Sequence, residues 1–592
     1  MRNWRKVGGR VAAHPRAERT TTAVLSLRNL AVSYPGGVQA LRGVSLEVAP
    51  GEIVGLVGES GAGKTVLGLA ALGLLPSSAE LDGHVFLGDT DMATATGEQR
   101  RLARKRFAGA VFQDPMTSLN PTMTVGRQVA EVTGSMTAAI QALERAHVPD
   151  APRRAGQYPH ELSGGQRQRV MIAMAVAGAP ALIVADEPTT ALDVTIQAEI
   201  LRLLSELRDD TGTSILFVTH DLAVAASLAD RIAVLYGGRL AELGPATALL
   251  QQPDHPYTAG LLAARPLADS PRGRPLPALP GEPPDPRAHV DACPFAPRCP
   301  LVTPACEERL PQVTAAPSHA GLVACLRAGE PHTSLLQVHD PFPEQQQPPG
   351  RPPALRLEDL TKAFGSRQFR HGAVNGLTLE VPAGGAVALV GESGCGKTTT
   401  LRMAVGLERP DSGTVAVGKG GRPQLVFQDA GASLTPWLSV GELLDERLRS
   451  EGLTAPQRAE RAREVLALVG LPVSVRGLRA RQLSGGQRQR VAIARAIAVP
   501  PALLACDEPI SALDVSLAAV VLNLLCRLRA ELNMAILFVT HDLTVARLVG
   551  DRIAVMHDGQ IVEEGPPEAV LKHPQHPQTK ALVAAIPRLR SA

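Results

Sequence analysis

Two glycine-rich loops of one pattern are the residues best suited to chemistry in this chain. They run from Gly58 to Thr65 and from Gly391 to Thr398, and each reads Gly-x-x-x-x-Gly-Lys-Thr. The glycines let backbone N–H groups converge on phosphate oxygens, and the helix that follows presents its positive N-terminal end to the same anion. The lysine is expected to reach the β and γ phosphates, and the threonine hydroxyl to bind Mg²⁺. In this chain these residues are Lys64, Lys397, Thr65 and Thr398.

Paired acidic residues end an apolar segment downstream of each loop, at 182–187 and 503–508. The first acid of each pair is expected to hold Mg²⁺, and the second to orient and polarise an attacking water. The predicted metal-side acids are Asp186 and Asp507, and the predicted water-side acids are Glu187 and Glu508. One offset of 321 residues relates both pairs, so the second half of the chain repeats the chemistry of the first.

The elements that must position these residues alternate between strands and helices. Segments 181–185, 215–218, 502–506 and 536–539 are continuously apolar, which is typical of parallel strands covered on both faces. Short strands are also predicted at the start of each half, at Ala23–Arg28 and Ala354–Glu358. This order predicts an α/β fold with two tandem P-loop domains.

Length and composition limit the classes of protein that fit. The chain has 592 residues, enough for three or more compact units, and a net charge of only +3, which offers no strong field for nucleic acid. The longest uncharged apolar run, Val170–Ala185, is shorter than the ~20 residues that cross a bilayer. With no secretory signal at the N-terminus, the sequence predicts a cytosolic chain whose seven cysteines are thiols or metal ligands.

The domain boundaries follow from the repeat and from changes in composition. We predict a basic tail at 1–22, a first ATPase domain at 23–266, a cysteine-bearing extension and linker at 267–353, and a second ATPase domain at 354–592. The linker is rich in proline, and its stretch at 341–350 is typical of an extended, solvated spacer. Such a linker permits the two ATPase domains to face each other.

Two further motifs carry a family resemblance. Leu162-Ser-Gly-Gly-Gln166 and Leu483-Ser-Gly-Gly-Gln487 match the signature motif of ATP-binding cassette (ABC) ATPases, and this resemblance covers both halves. In that family the signature motif of one domain completes the nucleotide site of the other. The resemblance therefore implies a head-to-tail pair of domains, in which Lys64 works with Ser484, and Lys397 with Ser163.

The resemblance assigns further roles. It implies that Gln113 and Gln428 sense Mg²⁺ and the water, that His220 and His541 contact the γ-phosphate, that Asp193 and Asp514 lie in the interdomain loops, and that Tyr34 and Phe364 stack on adenine. The implied ATP-contacting residues are Tyr34, Gly58, Glu59, Ser60, Gly61, Ala62, Gly63, Lys64, Thr65, Val66, Ser163, Gly164, Gly165, Gln166, Phe364, Gly391, Glu392, Ser393, Gly394, Cys395, Gly396, Lys397, Thr398, Thr399, Ser484, Gly485, Gly486 and Gln487.

The two sites differ at two positions of their loops. Val66 stands where Thr399 offers a hydroxyl, so the first site is expected to lack one phosphate contact. Cys395 stands where Ala62 stands in the first loop, and the simplest interpretation is a small residue that fits.

Other segments resemble one branch of the family, the ATPases of bacterial dipeptide and oligopeptide importers. They are Phe112–Pro121 with its copy Phe427–Pro436, and His255-Pro-Tyr-Thr258 with its copy His576-Pro-Gln-Thr579. The resemblance implies an energy-coupling subunit that works with two transmembrane permeases and an extracytoplasmic peptide-binding protein. It places the chain peripherally, at the cytoplasmic face of the bacterial inner membrane.

Four cysteines lie close together in the extension, at Cys293, Cys299, Cys306 and Cys325. Four thiolates can complete the coordination of Zn²⁺ or of an iron–sulfur cluster. The spacing lacks the close Cys-x-x-Cys pairs of zinc ribbons, and related peptide-importer ATPases carry a four-iron four-sulfur cluster here. A [4Fe-4S] cluster is the first interpretation, with Zn²⁺ and free structural thiols as alternatives.

A second class of function fits a tandem cassette protein without membrane spans, namely action on ribosomes. Some of those relatives join their halves with a long charged helix, whereas this linker is rich in proline. Others carry a cysteine cluster before the first cassette, whereas here the cysteines follow it. The sequence therefore favours the importer.

Overall fold

The structure is a computed structural model that describes residues 23–189, 192–330, 340–342, 352–366, 369–418, 421–511 and 513–586. The predicted basic tail and nearly all of the predicted spacer lie outside these residues. Within them the chain forms two α/β units, each built around a largely parallel sheet, and the predicted fold class is confirmed.

The first unit begins with strands that lead into the glycine-rich loop. Its strands are β1 (Leu25–Tyr34), β2 (Val38–Val48), β3 (Ile53–Val57), β4 (Glu80–Leu87), β5 (Thr90–Asp91), β6 (Ala108–Val111), β7 (Leu182–Asp186), β8 (Ser214–Thr219), β9 (Arg231–Tyr236), β10 (Arg239–Pro245), β11 (Thr314–Ala315) and β12 (Leu322–Val323). Its α-helices are α1 (Lys64–Ala71), α2 (Gly97–Phe107), α3 (Pro115–Ser118), α4 (Val125–Thr133), α5 (Met136–Arg145), α6 (Ala151–Arg154), α7 (Gly164–Val176), α8 (Val194–Thr211), α9 (Leu222–Leu228), α10 (Ala246–Gln251), α11 (Pro256–Ala263) and α12 (Pro304–Glu308).

The second unit repeats this order. Its strands are β13 (Leu355–Ser366), β14 (Phe369–Val381), β15 (Ala386–Val390), β16 (Ser412–Val417), β17 (Gln424–Val426), β18 (Leu503–Asp507), β19 (Ala535–Thr540), β20 (Arg552–His557) and β21 (Gln560–Gly565). Its α-helices are α13 (Lys397–Ala404), α14 (Ala430–Ser433), α15 (Val440–Leu448), α16 (Ala455–Leu468), α17 (Gly485–Ile497), α18 (Val515–Leu532), α19 (Leu543–Val549), α20 (Pro567–Lys572) and α21 (Pro577–Ala584).

The two main sheets arrange their equivalent central strands in the same order. In the first unit the order is β11-β12-β10-β9-β3-β8-β7-β6, and in the second it is β17-β18-β19-β15-β20-β21. The strands that end at the acidic pairs, β7 and β18, are buried along their whole length and run parallel to their neighbours. The carboxyl ends of parallel strands meet at one edge of a sheet, so the fold brings the loop and the acids together.

The segment between the units is ordered over its described first part and packs on both of them. Arg272 donates to the carbonyl of Gly550 at 2.6 Å, and the amide of Asn523 exchanges two 2.8 Å hydrogen bonds with the backbone of Leu276. The chain then returns to the first unit, where β12 pairs with β10 and the His319 ring lies 2.9 Å from the buried carboxylate of Glu242. The extension is therefore part of the first unit's sheet and core.

No α-helix in the described ranges combines the length and the apolar character that crossing a membrane requires.

Candidate functional site

Each glycine-rich loop joins a buried strand to a helix. The Gly63 backbone, with φ of 98°, and that of Gly396, with φ of 103°, occupy the left-handed region just before α1 and α13. A Cβ at Gly58 would lie 2.4 Å from the carbonyl oxygen of Leu235, so a larger residue would displace the loop. The sequence needs glycine here for both reasons.

The lysine of each loop lies across its own backbone. Lys64 Nζ donates to the carbonyls of Gly58 and Glu59 at 2.7 and 3.0 Å, and Lys397 makes the equivalent pair at 2.7 and 2.8 Å. Burial lowers the pKa of Lys64, while the carboxylates around it, Glu187 first among them, oppose that shift. The ammonium groups are thus at the mouth of the loop, where a phosphate would bind.

A hydroxyl and a carboxylate meet beside each loop. Thr65 Oγ1 donates to Asp186 Oδ1 at 3.3 Å, and Thr398 Oγ1 donates to Asp507 Oδ1 at 3.1 Å. Burial raises the pKa of Asp186 and of Asp507, and the threonine hydrogen bonds partly offset this. Such a pair of hard oxygen donors is suited to Mg²⁺.

The second acid of each pair is held by a glutamine and a histidine. Glu187 accepts from Gln113 Nε2 at 3.0 Å, and its carboxylate lies 3.4 Å from Nδ1 of His220. Its backbone φ of 46° is in the left-handed region, which is costly for a residue with a side chain.

The second half repeats this arrangement. Glu508 accepts from Gln428 Nε2 at 3.3 Å, lies 3.4 Å from His541 Nδ1 and has a φ of 43°. Burial alone would lower the pKa of His541, but the hydrogen bond and charge of Glu508 raise it overall. Burial would raise the pKa of Glu508, and His541 lowers it overall.

Backbone and side-chain contacts join each loop to the opposite half. The N–H of Ser60 donates to Asp514 Oδ2, and the N–H of Ser393 donates to Asp193 Oδ2, both at 3.3 Å. Asp514 and Asp193 also cap the N-termini of α18 and α8. The two halves therefore face each other head-to-tail.

An open cavity of about 490 Å³ lies over the first loop. Tyr34, Val66 and Pro286 line it together with Ser511 and Asp514 from the second half. It thus has walls from both halves.

The predicted contact residues outside the lining of this cavity include the two signature serines, Phe364 and Cys395. Ser163 and Ser484 cap the N-termini of α7 and α17, and neither lines the cavity. Phe364 is 45% exposed, with the Lys362 ammonium 5.5 Å from the centre of its ring. Cys395 is buried, as expected of a small residue that fits.

The four cysteines of the extension form one group. The N–H of Cys293 donates to the carbonyl of Cys306 at 3.0 Å. Burial raises the pKa of Cys299 to about 11 and that of Cys325 to about 12, and the charges of the neighbouring thiols add to both shifts. The four thiols are therefore within electrostatic reach of one another, and none of them is in a disulfide.

Sequence reasoning missed three residues that lie at the first site, namely Tyr257, Glu282 and Arg298. Arg298 pairs with Glu59 of the loop, Tyr257 accepts from the Glu59 N–H, and Glu282 contacts the signature helix of the second half. The position of Arg298 directly before Cys299, inside the cysteine motif, is the only signal in the sequence for it.

Comparison with known proteins identifies two family models in the chain. The ABC transporter model matches residues 41–190 and 374–511. The model of the C-terminal region of oligopeptide and dipeptide transporters matches residues 241–306 and 562–592. Both models therefore match twice, once in each half.

Several curated proteins are similar over nearly the whole chain. The oligopeptide transport ATP-binding protein OppD of Mycobacterium tuberculosis is 39% identical over 95% of this chain and 98% of its own length. The glutathione import ATP-binding protein GsiA of Pectobacterium atrosepticum is 36% identical over 95% and 89%. The peptidoglycan transport ATP-binding protein YejF of Agrobacterium fabrum is 37% identical over 96% and 97%.

Proposed function

Because this chain belongs to the ABC transporter family and is an ATPase of that family, we propose that it drives the uptake of peptides through separate membrane permeases. One observation carries the proposal: each glycine-rich loop contacts the opposite half, and each half contains a segment that matches the C-terminal region of oligopeptide and dipeptide transporters. The names of the relatives support a peptidic cargo, since they include proteins of oligopeptide and glutathione transport.

ATP and Mg²⁺ are the substrate and the metal of this family. We assign the phosphates to the glycine-rich loops with Lys64 and Lys397, and Mg²⁺ to Thr65 with Asp186 and to its counterpart pair, Thr398 with Asp507. The hydroxyl and carboxylate oxygens of these pairs lie 3.3 and 3.1 Å apart, close enough to be ligands of one cation.

The attacking water is assigned to the glutamates. Glu187 and Glu508 orient and polarise it, and a glutamine and a histidine hold each carboxylate. In the first site they contact different oxygens of Glu187, and in the second site both contact Oε2 of Glu508. A carboxylate fixed at two points loses little entropy when the reaction begins, and positioning of this kind supplies most of the rate in phosphoryl transfer. The assigned histidines are His220 and His541.

We assign the contact surface for the permeases to the segments that follow Gln113 and Gln428. Met116 is 50% exposed in the first, and Trp437 is 71% exposed just after the second. Aromatic residues and Met are enriched in protein–protein interfaces relative to the rest of the surface. We propose that coupling helices of two permeases cover them at the cytoplasmic face of the membrane, with a peptide-binding protein on the other side.

The cysteine group is proposed to hold a [4Fe-4S] cluster. Cys293, Cys299, Cys306 and Cys325 would be its ligands, and the cluster would crosslink the extension without taking part in ATP hydrolysis. Anaerobically prepared protein should show visible charge-transfer absorbance with stoichiometric iron and sulfide. Stoichiometric zinc without sulfide would instead show that the cysteines bind Zn²⁺.

The experiment that tests the importer is purification of the tagged chain from native membranes with identification of its partners. We expect two permeases and a peptide-binding protein to co-purify. Met116→Asp with Trp437→Asp should lose the permeases. Leu407→Asp changes a leucine outside these segments whose exposed fraction, 61%, lies between those of Met116 and Trp437, and it should retain them. Recovery of ribosomal proteins in their place would support the other class of function and refute import.

A further inference from the structure

The first phosphate loop is tied to the cysteine-bearing extension by a buried ion pair. Arg298 donates from its two terminal nitrogens to the two carboxylate oxygens of Glu59, at 2.6 and 3.0 Å. Both side chains are at most 4% exposed. Arg298 also donates to the Pro280 carbonyl at 2.7 Å and to the Tyr236 hydroxyl at 3.2 Å, so the guanidinium is fixed in its plane.

Glu59 is held at three points in all. Its N–H donates to the hydroxyl of Tyr257 at 2.9 Å, its carbonyl accepts from Lys64 at 3.0 Å, and its carboxylate pairs with Arg298. It precedes Ser60, whose N–H reaches the second half. Since a phosphate loop works through the direction of its backbone N–H groups, fixing Glu59 fixes the binding surface itself.

The same extension also contacts the opposite wall of this site. Glu282 accepts from Gln487 Nε2 at 3.1 Å and from Arg490 at 3.0 Å, on the signature helix α17 of the second half. Between the two contacts, Pro286 lines the cavity and its carbonyl accepts from the N–H of Gln39 at 2.9 Å. The segment from Pro280 to Arg298 therefore runs from one wall of the first site to the other.

The second site is built differently. Glu392, the counterpart of Glu59, is only half-buried, and in the described part of the chain no side chain pairs with its carboxylate. Gln578 stands in the position of Tyr257, and His557 in that of Tyr236. The support of the loop by the extension is thus a property of the first site alone among the described residues.

We propose that Arg298 and Glu282, together with Tyr257 of α11, are positioning residues of the first ATP site. Through Arg298 and Glu282 the cysteine-bearing extension sets the nucleotide affinity of that site and not of the second. The proposal rests on the two-site function proposed above. It gives the extension a part in ATP binding, and it makes the two sites unequal although their catalytic residues match.

The test compares one substitution at equivalent positions of the full-length protein, Glu59→Gln and Glu392→Gln. An azido-ATP photolabel, followed by mass spectrometry of the labelled peptides, gives an ATP dissociation constant for each half. We expect Glu59→Gln to weaken binding in the first half on the order of tenfold, because a misplaced binding group loses most of its effect, and Glu392→Gln to weaken the second half clearly less. Equal losses at the two sites would overturn the proposal.

Further variants separate positioning from folding. Arg298→Met leaves the Glu59 carboxylate buried without its partner and can unfold the unit, so it is paired with the Glu59→Gln/Arg298→Met double variant, which removes both charges. The double variant should keep a wild-type unfolding temperature and wild-type labelling of the second half, while the first half stays weakened. If it labels both halves as the wild type does, the ion pair has no positioning role. If the wild type itself labels neither half, the proposed function fails, and not only the positioning.

Discussion

Around the glutamate of each ATP site, the two halves of the chain place the same groups at nearly the same distances. The glutamine lies at 3.0 Å in the first site and 3.3 Å in the second, and the histidine at 3.4 Å in both. The phosphate loops differ far more, because a buried arginine holds Glu59 whereas Glu392 is half-buried. The two halves therefore have the same groups around the catalytic glutamate and different support of their phosphate loops.

The largest effect is expected where the two sites agree. Glu187→Gln and Glu508→Gln should each reduce ATP turnover by about 10² to 10⁴-fold, the range of a general base, while ATP binding is retained. Phosphate release and nucleotide binding measure the two properties. Near-normal hydrolysis in both single variants would contradict the assigned roles, and a large effect in only one would break the symmetry of the comparison.

A smaller effect is expected from substituting a cysteine of the extension, because the extension supports the phosphate loop of the first site. Cys299→Ser should abolish the proposed iron–sulfur cluster. It should also weaken ATP binding at the first site by about threefold to tenfold, because the loop that carries Arg298 would lose the crosslink that the cluster provides. The second site should keep its affinity. Iron and sulfide analysis, together with site-resolved photolabelling, checks both results.

The matched control is Cys526→Ser, which changes a cysteine outside the extension. It should leave metal content and both affinities as in the wild type. If Cys299→Ser loses the metal but weakens both sites alike, the extension stabilises the whole chain and does not distinguish the sites.

Exchanging the residues at one equivalent position of the two phosphate loops, Val66 and Thr399, tests whether the hydroxyl contributes to ATP binding. Val66→Thr should strengthen ATP at the first site, and Thr399→Val should weaken it at the second, each by about twofold to tenfold, the worth of one hydrogen bond. Isothermal titration of each variant, in an otherwise unchanged chain, gives the ATP dissociation constants. A change of the same sign in both variants would show that this position acts on packing and not through a phosphate contact.

The smallest effect concerns protonation. Glu508 raises the pKa of His541 against the effect of burial, so Glu508→Gln should lower that pKa. A raised histidine pKa contributes stability that is fully present below the unfolded value and is lost as pH rises through the folded value, so the variant should lose part of its stability at mildly acid pH. Histidine-selective NMR and unfolding at a series of pH values measure this; an unchanged His541 pKa would show that the pair does not interact.

The repeated catalytic residues could be predicted from the sequence, but the contacts that hold the first phosphate loop could not. The loops, the acidic pairs and the apolar strands follow rules of local spacing, so the fold and the residues around Glu187 and Glu508 could be predicted. The ion pair between Glu59 and Arg298 joins residues 239 positions apart, and no local pattern encodes such a contact. The ordered path of the extension was missed for the same reason, since proline-rich composition is typical of a spacer and does not reveal the carbonyls that Arg272 and Arg298 bind.

We propose that each ATP site is completed by the opposite half of the same chain. A solved structure of the Glu187→Gln/Glu508→Gln variant with ATP and Mg²⁺ tests this arrangement. We expect one triphosphate between Lys64 and Ser484 and the other between Lys397 and Ser163. A nucleotide enclosed by the loop and the signature serine of a single half would contradict it.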